Sequence, residues 1–260
     1  MDDREAGQYW NDNAIAWTTL SRAGSDVYRD HLNTPNFLAM LPNVDGLMGL
    51  DIGCGEGHNT REVAKLGARM FAVDISETFI DQALSHEANG ELDIKYQTAS
   101  AVELPFKDNQ FDFAIATMSF MDIPDPELAI EQTYRVLKPS GFLQFSISHP
   151  CFDTPHRKNL RNADHLTYAI EVGDYFKNQD GDIAQWTFGA TPDELKGQFP
   201  PFKVPRFTRT LSQWVNILIN AGFVIEELGE PRPSEASIEL HPSLQDASVV
   251  AYFIHFRVRK

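Results

Sequence analysis

The chain is short of cysteine, short of positive charge and without any long apolar run, and each shortage removes a class of function. Only Cys54 and Cys151 occur, far apart and in no CxxC pair, so neither a disulfide framework nor a thiolate zinc site is indicated. Lysine and arginine total 22 against 37 acids, and the resulting formal charge of −15 repels phosphate backbones and anionic head groups. Nucleic acid and membrane surfaces are therefore poor partners, with Arg157, Lys158 and Arg161 the nearest thing to a basic patch. No uncharged apolar run approaches the roughly 18 residues of a membrane span. The opening Met1-Asp2-Asp3-Arg4-Glu5 lacks the basic and apolar regions of a secretory signal, so a reducing cytoplasm is the expected location. Internal repeats and low-complexity tracts are also missing.

What is present is apolar material, 42% of residues, enough for one large domain or one domain with an insertion. Helical spacing runs from Tyr9 to Trp17 and again from Val27 to Met40. Leu47 to Ile52 reads as a buried strand ended by glycines, Asn59 to Leu66 as a helix stopped by Gly67, and Met70 to Val73 as a second strand. A helix at Glu77 to Glu87, ending near Gly90, is followed by strands at Ile94 to Gln97 and Phe111 to Thr117. A helix over Pro126 to Leu137 and a strand over Phe142 to Ile147 continue the alternation, which implies right-handed crossovers and a parallel, doubly wound α/β sheet. Ligands of such sheets bind outside the carboxyl ends of the strands.

The rhythm breaks from Pro150 to about Thr208, where nine aromatics sit among Pro, Gly, Asp and Asn without a period; this predicts an insertion with its own small packing cluster. Regular structure returns with a helix at Leu211 to Asn220 and a strand at Phe223 to Leu228. After a polar loop, a last strand at Ser248 to Val258 is expected to run antiparallel. The division that follows is 1–42 as an N-terminal helical lid, 43–149 with 209–260 as the α/β core, and 150–208 as an inserted substrate cap.

Leu50-Asp51-Ile52-Gly53-Cys54-Gly55-Glu56-Gly57 places glycines where a strand must turn sharply into a helix. There the backbone comes close to a ligand, and exposed N–H groups favour a negative group such as a carboxylate. A dinucleotide fingerprint would need GxGxxG, but His58 occupies the third glycine position, which weakens a pyrophosphate reading. Asp74 ends the second strand about 20 residues further on, where a carboxylate reaches both hydroxyls of a ribose. The site wants a nucleoside.

These segments resemble the class I S-adenosylmethionine-dependent methyltransferases, in particular the type 11 small-molecule group that includes quinone-biosynthesis enzymes. Residues Leu50 to Gly57 match the first motif of that family and Ala72-Val73-Asp74-Ile75-Ser76 its second. Leu104-Pro105-Phe106 with Phe111-Asp112 matches the third region, and Arg135-Val136-Leu137-Lys138-Pro139-Ser140-Gly141 the helix and turn before the fifth strand. The resemblance implies a seven-stranded Rossmann-like sheet and S-adenosylmethionine as cofactor. It implies that Asp51 orders the loop and the methionine amino group, and that Gly53, Cys54 and Gly55 line the methionyl and ribose part. Asp74 would hold the ribose, Ile75 pack on adenine, Ala101 offer it a backbone N–H, and Thr117 and Met118 lie beneath the sulfonium. Ser100 stands where the family usually has an acid for the adenine amino group, so that contact is weaker or comes from elsewhere.

Methyl transfer needs alignment and exclusion of water more than it needs an acid or base. His149, just past the fifth strand, is the candidate base, with an ordinary pKa near 6.5 that suits proton transfer; alternatively it only holds the start of the insertion. His149, Cys151, His156 and His165 match no zinc spacing, so no metal is expected. Cys54 is expected as a small filler rather than a nucleophile. Trp17 and Tyr9 pack on a helix that closes over the cofactor in related enzymes. The expected acceptor is a small molecule with an aromatic or apolar body, suited to a cap rich in aromatics. The rival readings are a cofactor-binding protein that has lost catalysis and, disfavoured by His58, an NAD-dependent oxidoreductase.

Overall fold

A computed structural model describes residues 1–87 and 92–260; the expected end of the fourth helix near Gly90 lies outside the described residues. Five strands, β1 (Met48–Ile52), β2 (Arg69–Asp74), β3 (Lys95–Thr98), β4 (Phe111–Thr117) and β5 (Leu137–Ser148), pair in parallel in the order 3-2-1-4-5. Two later ones complete a seven-stranded sheet: β10 (Val224–Gly229) at the edge and, between it and β5, β11 (Phe253–Arg259), antiparallel to both. The central strands are apolar on both faces because helices cover both. Leu50, Ile52, Ala114, Ala116, Phe145 and Ile147 enter one core cluster, and Met70, Phe113, Ile115 and Phe142 the other. Strand β5 begins at Leu137, ahead of the expected Phe142, because Leu137 already pairs with Phe111 before the register shifts.

Three helices make the crossovers: α3 (His58–Ala64), α4 (Glu77–Glu87) and α5 (Pro126–Val136), while α6 (Leu211–Asn220) leads into β10. Helix α6 begins with a capping box between Thr210 and Gln213. The polar loop expected before the last strand instead contains α7 (Glu235–Leu240) and a 3-10 turn at Pro242–Ser248. Both are short and none of α7 is buried, so no apolar period marks it in the sequence.

The N-terminal helix α1 (Asp3–Arg22) is held at its start by a reciprocal cap between Asp2 and Glu5. A π-helical turn at Arg29–Asn33 leads into α2 (Thr34–Met40). Small residues let α1 lie close to the sheet edge: a Cβ on Gly7 would stand 2.9 Å from the Ile75 side chain. The insertion is built of two antiparallel hairpins, β6 (His156–Arg161) with β7 (Thr167–Gly173), and β8 (Asp180–Trp186) with β9 (Phe202–Phe207). Its packing corrects the expectation of a self-contained cluster. Phe188, Phe202 and Val204 are buried together with Ala16 and Leu20 of α1, and Trp17 meets Trp186, Phe188 and Phe202 at ring-centre distances of 5.4, 4.9 and 4.9 Å. A buried amide finishes the joint: Asn13 donates to the Lys203 carbonyl at 2.9 Å and accepts from the Lys203 N–H at 3.2 Å. Helix α1 and the second hairpin are therefore one packed unit.

Candidate active site

The parallel strands all end on one edge of the sheet, and there Gly53, Asp74, Thr117 and Ser148 open into a cavity of about 810 Å³. Its roof comes from α1 (Ala6, Trp10, Trp17), the π-turn (Arg29, Asn33) and the second hairpin with the segment joining its strands (Trp186, Phe188, Val204, Arg206). The volume lies at the large end of small-molecule sites, room for a nucleoside cofactor and an acceptor together.

At the floor, Gly53 turns the chain with φ +72°, and a Cβ there would lie 2.4 Å from that of Ser119. Ser119 donates to the Ile52 carbonyl at 2.6 Å, which locks the end of β1 to the segment after β4. Asp74 accepts from the Gly55 N–H at 2.8 Å and the Ser76 N–H at 2.9 Å, so it holds the glycine loop in place before any ligand arrives. Burial pushes its carboxyl up to about 6, against the pull of those two backbone donors. Asp51 is fully buried behind the loop; its Oδ2 accepts from Thr60 at 2.6 Å and its Oδ1 has no partner among the described residues. Burial drives it up to about 7. Cys54 is held well above the ordinary thiol range by burial and by the Asp74 charge, which disfavours the thiolate.

Past β4 the backbone is strained. Met118 has φ +58°, a left-handed conformation that a non-glycine residue adopts at a cost of about 1 to 3 kcal/mol, and its N–H is tied to the Ser146 carbonyl at 2.9 Å. Thr117 accepts from Asn59 at 2.7 Å, and Asn59 accepts from Thr34 at 2.7 Å, a polar chain linking α2, α3 and β4 beside the cavity.

Of the residues singled out in the sequence, Gly53, Cys54, Gly55 and Asp74 line the cavity, as do Ile75, Ala101, Thr117 and Met118. Asp51, Ser100 and His149 do not. His149 is buried at 3% exposure, its Nε2 lies 2.8 Å from Glu230 Oε1, and its Nδ1 accepts from the Cys151 N–H at 3.2 Å. Both ring nitrogens are engaged where the chain leaves β5 for the insertion. Trp17 lines the cavity and Tyr9 does not; Trp10, its neighbour in sequence, does. His156 pairs with Glu171 at 2.8 Å, and among the described residues no group of three or more His, Cys, Asp or Glu is arranged around a metal position.

Sequence reasoning passed over Asp122. It lies on a 3-10 turn at Phe120–Asp122, lines the cavity, and stands near the ion pair between Arg206 and Asp153, whose atoms are 2.6 Å apart. Burial pushes its carboxyl up to about 7; the Arg206 charge opposes that and the Asp153 charge adds to it. Five carboxylates line the cavity, Asp3, Asp26, Glu56, Asp74 and Asp122, against two guanidinium groups, Arg29 and Arg206, each already paired with an acid. Glu56, bonded to Arg22 and Arg61 through Oε2, keeps a buried Oε1 without a partner among the described residues. Such a site suits a cation and rejects a pyrophosphate. No helix of the described residues is long and apolar enough to cross a membrane.

Residues 50–145 match the family profile described as a methyltransferase domain. Over 106 residues the chain is 37% identical to the ubiquinone biosynthesis O-methyltransferase of Bartonella tribocorum, a match over 41% of this chain and 42% of that one. The chain thus spans less than half the length of this curated relative. Among solved structures it is similar to an S-adenosylmethionine-dependent methyltransferase from Mesorhizobium loti, with TM-score 0.69 and 26% identity over 87% of this chain and 96% of the other. It shares the fold of the [4+2]-cyclase SpnF, with TM-score 0.64 and 19% identity over 100% of this chain and 96% of that one. With the glycine loop, Asp74 and the strand order described above, residues 50–145 of this chain form a class I methyltransferase domain of the type 11 group, whose cofactor is S-adenosylmethionine.

Proposed function

We propose that the protein transfers a methyl group from S-adenosylmethionine to the oxygen of a small acceptor with an aromatic or apolar body. The observation that carries this reading is the charge of the cavity: five carboxylates and only two, already paired, guanidinium groups suit a cofactor with a sulfonium and an ammonium. When bound, that cofactor supplies the electrophilic methyl group; what remains for the chain is placement and exclusion of water. Gly53, Cys54 and Gly55 would take the methionyl part, and Glu56, which lines the cavity and whose Oε1 has no partner among the described residues, would favour an ammonium nearby. Asp74 would hold the ribose, Ile75 would pack on the base, Ala101 would offer it a backbone N–H, and Thr117 with Met118 would lie beneath the sulfur.

On the acceptor side, Trp17, Trp186 and Phe188 make an apolar wall that orients a ring and keeps water from the methyl group. Oxygen as the acceptor atom draws on the name of the Bartonella relative. A hydroxyl must lose its proton, and Asp122 is placed to take it, with a carboxyl near neutrality and no bond to a protein donor among the described residues. His149, engaged at both nitrogens outside the cavity, holds the start of the insertion in this reading.

The test is calorimetry with S-adenosylhomocysteine and with NAD, followed by incubation of hydroxylated aromatic compounds with methyl-deuterated S-adenosylmethionine and mass detection of the product. Binding of S-adenosylhomocysteine alone and a labelled methyl ether are expected. Failure to bind it, or preferential binding of NAD, overturns the cofactor assignment. With a turnover assay in hand, Asp122→Asn should lose a pH-rate limb that His149→Ala retains.

A further inference from the structure

Beside Asp74 the cavity is lined by Ala6 and Gly7 of α1, Ile75, Phe79, Ala99 and Ala101, an apolar lining of the kind a flat base packs against. Such a lining cannot tell adenine from a purine without its amino group, because an apolar wall offers no acceptor. A polar group does stand by it. Asp3, in the first turn of α1, also lines the cavity, and its Oδ2 takes the hydroxyl hydrogen of Ser100, the residue between Ala99 and Ala101. The Ser100 hydroxyl in turn accepts from the Val102 N–H at 3.1 Å, so that serine is held by the backbone and fixes the carboxylate. Among the hydrogen bonds of the described residues, Asp3 Oδ1 has no donor. Burial pushes the carboxyl up, against the pull of the bond from Ser100.

Resting on the reading of the cavity as an S-adenosylmethionine site, we infer that Asp3 of the N-terminal helix accepts the exocyclic amino group of the adenine and so sets the base specificity of the site. Ser100 is then a positioning residue that holds the carboxylate, and it bridges 97 residues of sequence to do so. The arrangement makes base recognition depend on closure of α1, since no recognition group exists until the helix docks. Docking has its own anchors further along, where Asn11 accepts from the Ser76 hydroxyl and the Thr78 N–H, both at 3.0 Å, and Arg22 reaches Glu56 at 2.8 Å. Removing the Asp3 carboxylate should therefore leave the helix in place, its N-terminal cap being made by Asp2 and Glu5.

The experiment pairs a change in the protein with a change in the ligand. Affinities of S-adenosylhomocysteine and of its 6-deamino analogue, in which hydrogen replaces the amino group, are measured by calorimetry on the parent, Asp3→Ala and Ser100→Ala. In the parent the amino group should be worth about tenfold in affinity or more, the range of a hydrogen bond to a charged acceptor. In Asp3→Ala the two ligands should bind within about twofold of one another, and Ser100→Ala should show an intermediate preference. If Asp3→Ala weakens both ligands equally and keeps the parent preference, Asp3 only docks the helix and the inference is wrong. A parent without preference between the ligands overturns it as well. If the parent binds neither ligand, the cofactor reading itself fails, and with it this one.

Discussion

Asp74 has two tasks that pull on the same oxygens: it holds the glycine loop through Gly55 and Ser76, and in the proposed complex it accepts the ribose hydroxyls. Asp74→Ala should weaken S-adenosylhomocysteine by about 1.5 to 3 kcal/mol in calorimetry, the worth of hydrogen bonds to a charged acceptor. Affinity equal to that of the parent would place the ribose elsewhere. The sign of the pH dependence follows from the carboxyl standing at about 6: hydroxyl donors favour the anion, so affinity should be full above pH 7 and decline as pH falls through 6. Asp74 was legible in the sequence because a strand end, a glycine loop and a spacing of about 20 residues converge on it. Asp3 and Asp122 were not, since their significance rests on neighbours 97 residues away in one case and, in the other, on Arg206 and Asp153 brought over by the insertion. His149 illustrates the reverse. Its place at the end of β5 suggested a base, whereas its Nε2 is engaged by Glu230, which is contributed from far along the chain.

Among the elements, the two hairpins of the insertion differ in what they touch. The β6–β7 hairpin turns to the C-terminal side, with Asn159, Arg161 and Thr167 all bonded to Asp246. The β8–β9 hairpin covers the cavity and packs on α1 through Phe202 and Val204. Replacing 156–173 by a short Gly/Ser linker should therefore leave S-adenosylhomocysteine affinity within about twofold of the parent. Replacing 180–207 should weaken it at least tenfold, because α1 would lose the partners of Ala16, Leu20 and Trp17 and with them its hold over the cofactor. Equal affinities in the two deletions would show that α1 closes without the cap. Both the helix and the aromatic richness were visible in the sequence, but not their union: α1 shows a helical period, while the insertion shows none, and Asn13 meets Lys203 across 190 residues.

For the molecule as a whole, the excess of acid has a local expression in the cavity, where carboxylates are gathered and burial pushes Asp74 up to about 6 and Asp122 up to about 7. A ligand that fills this space, lined by the sheet edge, α1 and the second hairpin, binds only the folded state. At one hundred times its Kd, S-adenosylhomocysteine should add about 2.7 kcal/mol of stability, which for a chain of this size raises Tm by roughly 5 to 10 °C. NAD at the same concentration should leave Tm where it was; a comparable rise with NAD would contradict the charge argument.

The alternation of strand and helix, the glycine turn and the acid after β2 are local in sequence, each fixed by backbone geometry or by a period that a short window contains. From them the sequence determined the doubly wound sheet, the edge at which ligands bind and the nucleoside character of the cofactor. Tertiary structure decided the rest: that the N-terminal helix and the second hairpin of the insertion share one aromatic cluster, that Glu230 occupies His149, that Asp122 faces the cavity, and that Asp3 meets Ser100 beside it. Those depend on side chains meeting across 80 residues or more, and no period or spacing within the chain encodes which surfaces will be pressed together when the hydrophobic faces are buried.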